Sequence, residues 1–321
     1  TYSKFIVLNL VILKTNFMKK IKSILCLLLI ISCSNESEEI TGNKGLYYQS
    51  TFFDGLSRDY ILYVPESYDE NQNIPIVFNL HGGSGTAQEQ MNTVSDMRSL
   101  SETGYFILVY PQATSDSNGI PIWNLGGVNS KATEVDDVGY ISHIIEKISN
   151  FYSVDHDRIY ATGFSNGAYL SFELACKLSN KIAAFASVAG HMFIDTYNDC
   201  SPTHPTPFLS INGTEDNYQG IASYYLSVDD SNNYWNVFNS TDTEPIITDI
   251  DDINTSDGTT VKYYSWKNGS NGVEVDHYKV IGGGHSWPSS GGANKGWDNG
   301  DIDPNVLIWN FFSKFDINGL R

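Results

Sequence analysis

The stretch that most constrains this chain is Gly163-Phe164-Ser165-Asn166-Gly167. It lies between the apolar run Arg158-Ile159-Tyr160-Ala161-Thr162 and a helical pattern that repeats Leu170, Leu174 and Leu178. A serine on a sharp strand-to-helix turn carries its Oγ out from the C-terminal edge of a sheet. Side chains two residues before and two after would then collide, so both positions are glycine. The five residues alone could form an ordinary Gly-Ser turn, and the flanking strand and helix decide for a nucleophile elbow.

A serine hydroxyl needs a base, and the base needs an orienting carboxylate. Both follow in chain order. After the apolar run Pro207 to Ile211 comes Asn212-Gly213-Thr214-Glu215-Asp216, and after Tyr278 to Ile281 comes Gly282-Gly283-Gly284-His285-Ser286-Trp287-Pro288. Stabilising an oxyanion takes two backbone N–H groups. One belongs to Asn166, the residue after the serine. The other is expected from Gly83, in the loop His81-Gly82-Gly83-Ser84-Gly85 that leaves the strand ending at Leu80. His81 is expected to brace that loop.

Leu80-His81-Gly82-Gly83, Asp136-Asp137, the serine pentapeptide, Gly213-Thr214-Glu215-Asp216, Gly284-His285-Ser286-Trp287-Pro288 and Ile308-Trp309-Asn310-Phe311-Phe312 occur in this order over about residues 45 to 315. Together they resemble the polyhydroxybutyrate depolymerase and feruloyl/acetylxylan esterase group of the α/β-hydrolases. The resemblance implies Ser165 as nucleophile, Asp216 as orienting acid and His285 as base. It departs at Asn212, where the group usually has a histidine, a change that bears on the local loop and little on the triad.

The expected fold is α/β. A mostly parallel central sheet carries helices on both faces, with an antiparallel N-terminal hairpin of Tyr47–Phe53 and Ser57–Val64 around Asp54-Gly55. Ile74–Leu80 and Tyr105–Tyr110 read as buried strands, the second stopped by Pro111. Further strands are expected at 183–189, 208–211, 261–266 and 275–281. A helix from Val135 to Tyr152 places Val138, Ile141, Ile145 and Ile148 on one face, with Asp136 and Asp137 in its dipole-favoured first turn rather than on a metal. The last helix starts at Asp303-Pro304. Residues 45–321 read as one catalytic domain.

Ahead of it, residues 18–33 run from Met18-Lys19-Lys20 through an apolar stretch to Ser32-Cys33. This pattern is that of a secretory signal, too short to span a bilayer permanently. Ile30-Ile31-Ser32-Cys33 resembles a lipobox, which would make Cys33 the lipidated residue of an exported lipoprotein. Residues 1–17 read as an upstream translated segment, although apolar Phe5 to Leu13 also suits a membrane anchor. Residues 34–44 read as an acidic tether. The resemblance of this acidic stretch to surface-export signals leaves periplasmic and outward-facing locations both open.

The formal charge is −18. It argues against nucleic-acid binding and against electrostatic contact with anionic membranes, leaving a lipid anchor as the membrane attachment. The serine chemistry requires no metal or organic cofactor. His143, His156, His191, His204 and His277 are too scattered to gather a metal and read as surface or hydrogen-bonded groups. Asp298–Asp303 is oxygen-rich but lacks EF-hand spacing. Cys176 and Cys200 form an even pair, expected as a disulfide in an oxidising compartment, with two free buried thiols as the alternative. Trp287, Trp123 and Trp297 are expected to line the substrate pocket, which would suit an aromatic acyl group or a sugar ring.

The functional expectation is a secreted serine esterase acting on feruloyl or acetyl esters of plant polysaccharide. A polyhydroxybutyrate depolymerase is the alternative, and peptidase action a third use of the same triad. From another class, a non-catalytic glycan-binding surface lipoprotein would have no need of Ser165, Asp216 and His285 together.

Overall fold

The computed structural model describes residues 42–125, 135–216, 224–290 and 298–321. The leader, Cys33, most of the acidic tether and Trp297 lie outside the described residues. A ten-stranded sheet runs in the order β1-β2-β4-β3-β5-β6-β7-β10-β9-β8. Its strands are β1 Gly45–Phe53, β2 Leu56–Val64, β3 Ile74–Leu80, β4 Ile107–Pro111, β5 Val154–Phe164, β6 Ala184–Val188, β7 Phe208–Gly213, β8 Ile246–Asp249, β9 Thr260–Trp266 and β10 Val275–Ile281. The six central strands are parallel, and antiparallel pairs close both edges. The hairpin forms as expected. Phe53 pairs with Leu56, and Asp54 and Gly55 both have positive φ, the two-residue turn whose twist matches the strands.

β3 is buried throughout because both sheet faces are covered. Ile74, Ile76, Phe78 and Leu80 meet one apolar cluster and Val77 the other. Helix α1 (Ala87–Glu89, continuing as a π turn through Val94) and α2 (Arg98–Gly104) precede β4. Tyr105, read from the sequence as the start of that strand, instead takes a left-handed conformation that ends α2. Helix α3 (Asp137–Ser149) and α4 (Asn166–Lys177) cover the first face. α5 (Ile194–Asp199) and α6 (Val228–Asn239) follow, and α7 (Pro304–Phe312) covers the opposite face, its N-cap Asp303 accepting from Asn305 and Val306 N–H. No helix among the described residues is long and apolar enough to cross a membrane.

The acid pair divides its labour. Asp136 is the α3 N-cap and accepts from Gly139 N–H, as a helix start should. Asp137 is buried and paired with buried Arg58 at 2.5 Å, a partner 79 residues away in sequence. Burial pushes the Asp137 carboxyl pKa up, opposed by the guanidinium. Cys176 and Cys200 are bridged, tying the end of α4 to the residue that ends α5.

Candidate active site

The strand order reverses at β3, whose neighbours are β4 and β5. A crevice at such a switch point is where open α/β sheets place their ligands. β5 ends at Phe164, and Ser165 follows with φ 52° and ψ −116°, a strained non-glycine conformation. Its amide donates to Val188 O of β6 at 2.9 Å, which fixes the turn to the sheet. A Cβ on Gly163 would collide with the Gly167 backbone, and one on Gly167 would meet the Leu80 and His81 carbonyls. The two glycines therefore let the elbow close against the β3 loop.

The acid loop and the histidine loop are fitted to each other. Thr214 N–H donates to Val280 O and Glu215 N–H to Gly283 O, at 2.9 and 2.8 Å. Thr214 Oγ1 accepts from Gly282 N–H at 2.9 Å. Buried Asp216 then lies with Oδ2 2.8 Å from His285 Nδ1, and His285 Nε2 lies 2.9 Å from Ser165 Oγ. With Nδ1–H directed at the carboxylate, Nε2 is left to accept the serine proton. The structure thus brings together Ser165, His285 and Asp216 from three separate loops. Asn212 replaces histidine without opening this loop: its Nδ2 donates to Gly190 O at 3.1 Å.

Asn166 opens α4, so its N–H has no intrahelical acceptor. A Cβ added to Gly83 would sit 3.6 Å from Asn166 Cβ, so the two residues chosen as oxyanion donors are neighbours. His81 braces their loop. Its Nε2 accepts from Ala113 N–H at 3.0 Å, which leaves the proton on Nδ1 to donate to Gly82 O at 2.7 Å. Burial pushes the His81 pKa down to about 4, keeping the ring neutral.

Two pocket assignments are corrected. Trp123 is 2% exposed, its indole N–H donating to His81 O at 2.8 Å and its amide to Asn166 Oδ1 at 2.7 Å. It is a brace beneath the oxyanion loop. Trp287 is equally buried, in the apolar cluster with Met91, Val261 and Ile302. The turn after His285, closed by Ser290 N–H on Trp287 O, carries that ring inward. Both rings fold under the chain into the core.

Sequence reasoning missed Phe164, whose ring centroid lies 5.1 Å from that of His285. It also misread His191. This residue is 1% exposed, and its ring nitrogens have no hydrogen-bond partner among the described residues. Burial pushes its pKa down to about 4, against the opposing field of Asp216. A histidine in an otherwise unremarkable Gly190-His191-Met192 segment carries no signal of such burial. Asp301, in the oxygen-rich segment, accepts from Ile253 and Asn254 N–H and pins two loops together.

The comparisons with known proteins agree with this architecture. An acetyl xylan esterase structure from Aspergillus awamori aligns over 84% of this chain and 99% of its own, with a TM-score of 0.56 at 15% identity. The feruloyl esterase module from Clostridium thermocellum, complexed with sinapinate, aligns over 86% and 91% with a TM-score of 0.55 at 12% identity. The chain has the α/β-hydrolase fold. Residues 58–204 of the chain match the family model described as Esterase PHB depolymerase. A bifunctional acetylxylan esterase/xylanase of Neocallimastix patriciarum is 28% identical over 83% of the chain, and feruloyl esterase B of Piromyces equi 26% identical over 75%. The chain spans 34% and 44% of the length of those two relatives. Feruloyl esterase D of Neurospora crassa is 25% identical, covering 83% of this chain and 85% of its own. The resemblance drawn from the ordered motifs is borne out.

Proposed function

We propose that this α/β-hydrolase is a serine esterase, exported and lipid-anchored at Cys33, that cleaves feruloyl or acetyl esters on plant polysaccharide. The observation that carries the reading is the continuous contact from Asp216 through His285 to Ser165, at 2.8 and 2.9 Å. His285 Nε2 takes the serine proton as Oγ adds to the ester carbonyl, and Asp216 stabilises the imidazolium. The N–H groups of Asn166 and Gly83 receive the oxyanion. His285 then protonates the departing alcohol, and water attacks the acyl-enzyme by the same route to release the acid. The names of the curated relatives support the acyl groups. The family model supports hydroxybutyrate polyester as the competing substrate.

The test is hydrolysis of methyl ferulate, acetylated xylan and hydroxybutyrate oligomers by the chain and by its Ser165→Ala variant. Turnover of one of the first two that vanishes in the variant is expected. Preference for the oligomers would overturn the substrate assignment, and equal turnover in both proteins would overturn the mechanism. Palmitate incorporation that persists in Cys33→Ala would overturn the anchor.

A further inference from the structure

Away from the triad, the outer face of α6 borders two depressions. One, of about 450 Å³, runs between α6 and the end of β9, with Trp266, Asn236, Asp242 and Thr241 among its walls. The other, of about 430 Å³, lies across the helix against Tyr197, Tyr234 and Phe238. Asn233 and Val237 belong to both, so the depressions flank one low ridge. Asp229 joins the first to a smaller polar recess of about 200 Å³ that reaches Gly213 and Thr214, the latter lying two residues before Asp216. A path of concave surface therefore leads from the acid loop along α6.

The chemistry of this path is specific. Its two larger depressions offer carboxamides, hydroxyls, carboxylates and aromatic rings, and neither is lined by Lys, Arg or His. Carboxamides and carboxylates bond hydroxyl pairs, and rings stack on the apolar faces of sugars. Asparagine is a weak helix former, yet α6 carries Asn233 exposed on the shared ridge, its side chain making no hydrogen bond among the described residues. Val237 beside it is 71% exposed.

We propose that this α6 surface is a non-catalytic subsite for a neutral oligosaccharide, which holds a polysaccharide chain while one of its esters is presented to Ser165. The proposal deepens the polysaccharide reading above and rests on it for the substrate class. Asp230 and Asp242 border the two larger depressions, where no cation lines the wall, while Asp229 is paired with Lys279 at 3.8 Å in the recess. Along α6 itself uronic-acid chains are therefore disfavoured and neutral pentose or hexose chains accepted.

The test uses the full chain carrying Ser165→Ala, titrated calorimetrically with a linear, unesterified xylo-oligosaccharide. Saturable binding is expected, weakened about tenfold or more by Trp266→Ala, which removes a stacking surface. Because Trp266 is partly buried, exposed Asn233→Arg is the second variant, blocking the ridge without disturbing the core. In the active chain, Asn233→Arg should leave kcat/KM on methyl ferulate unchanged and lower it on polymeric ester. No saturable binding, binding indifferent to both variants, or equal binding of an oligogalacturonate would overturn the subsite. Turnover of methyl ferulate in the same preparation separates that failure from failure of the esterase reading.

Discussion

The backbone N–H of Trp123 donates to the side-chain carbonyl of Asn166 at 2.7 Å, joining a loop that begins after β4 to the residue that follows Ser165. In the proposed mechanism the Asn166 N–H receives the oxyanion, and this side-chain bond helps hold the residue in that orientation. Asn166→Ala keeps that N–H but releases the anchor. The expected result is a fall of about tenfold in kcat with little change in KM, smaller than deletion of a donor because the donor is misaligned rather than lost. Steady-state kinetics on methyl ferulate check it. An unchanged kcat would mean that the α4 backbone alone holds the N–H in place.

One residue further along the same loop, Asn124 N–H donates at 2.7 Å to Asp137 Oδ2, while Asp137 Oδ1 holds Arg58. The guanidinium also lies 3.9 Å from the Tyr140 ring centroid. Asp137→Ala strands a buried cation and should cost about 3–5 kcal/mol in urea unfolding. The double variant Arg58→Met with Asp137→Leu removes the stranded charge and should recover much of that loss. It does not restore the acceptor for Asn124, so its kcat should stay below that of the parent. Full recovery of kcat would show that the ion pair does not act on the site through this loop.

Three buried histidines set the acid limit of the fold. Burial holds His81 and His191 down to about 4 and His277 to about 3. All three lie below the unfolded value of about 6.5, so between these limits the unfolded chain binds more protons than the folded one. Stability is therefore fully present above about pH 6.5 and is lost as pH falls towards 4, by about 3 kcal/mol at most for each ring. Urea midpoints should drop steadily from pH 7 to pH 5. His277→Gln, remote from the triad, should flatten the profile. A midpoint independent of pH over this range would contradict neutral burial of these rings.

What was legible in the sequence was what local chemistry dictates. Asp54-Gly55 specified a turn, the run Ile74 to Leu80 a strand covered on both faces, and Gly163 and Gly167 a backbone with no room for side chains. Ser165, Asp216 and His285 were readable because each sits where a strand ends. The failures needed distant partners. Asp137 looks like a helix-start acid until Arg58 arrives from β2, and Trp123 like a pocket wall until His81 and Asn166 bond to it from above. β8 gave no signal because all four of its residues are exposed and lack alternation. The α6 surface was invisible for a different reason, since its residues become a surface only when β9 packs beside them.

Gly213 lies close against the backbone of Gly283. A Cβ on Gly213 would run into the Gly283 and Gly284 backbone, so Gly213→Ala must push the histidine loop away from the acid loop. Neither the core nor α4 is touched, and the loops end in turns that can shift. The variant should therefore fold, at a cost of about 1–3 kcal/mol. The 2.8 Å contact between His285 and Asp216 is the bond that lengthens. Losing the orienting carboxylate altogether costs about 10⁴ in kcat, so Gly213→Ala should lose between about 10- and 1000-fold. Asp216→Asn in the parent sets the floor, and adding it to Gly213→Ala should have much less than its usual effect. Full additivity of the two changes would mean that Gly213 acts on something other than the carboxylate–imidazole contact.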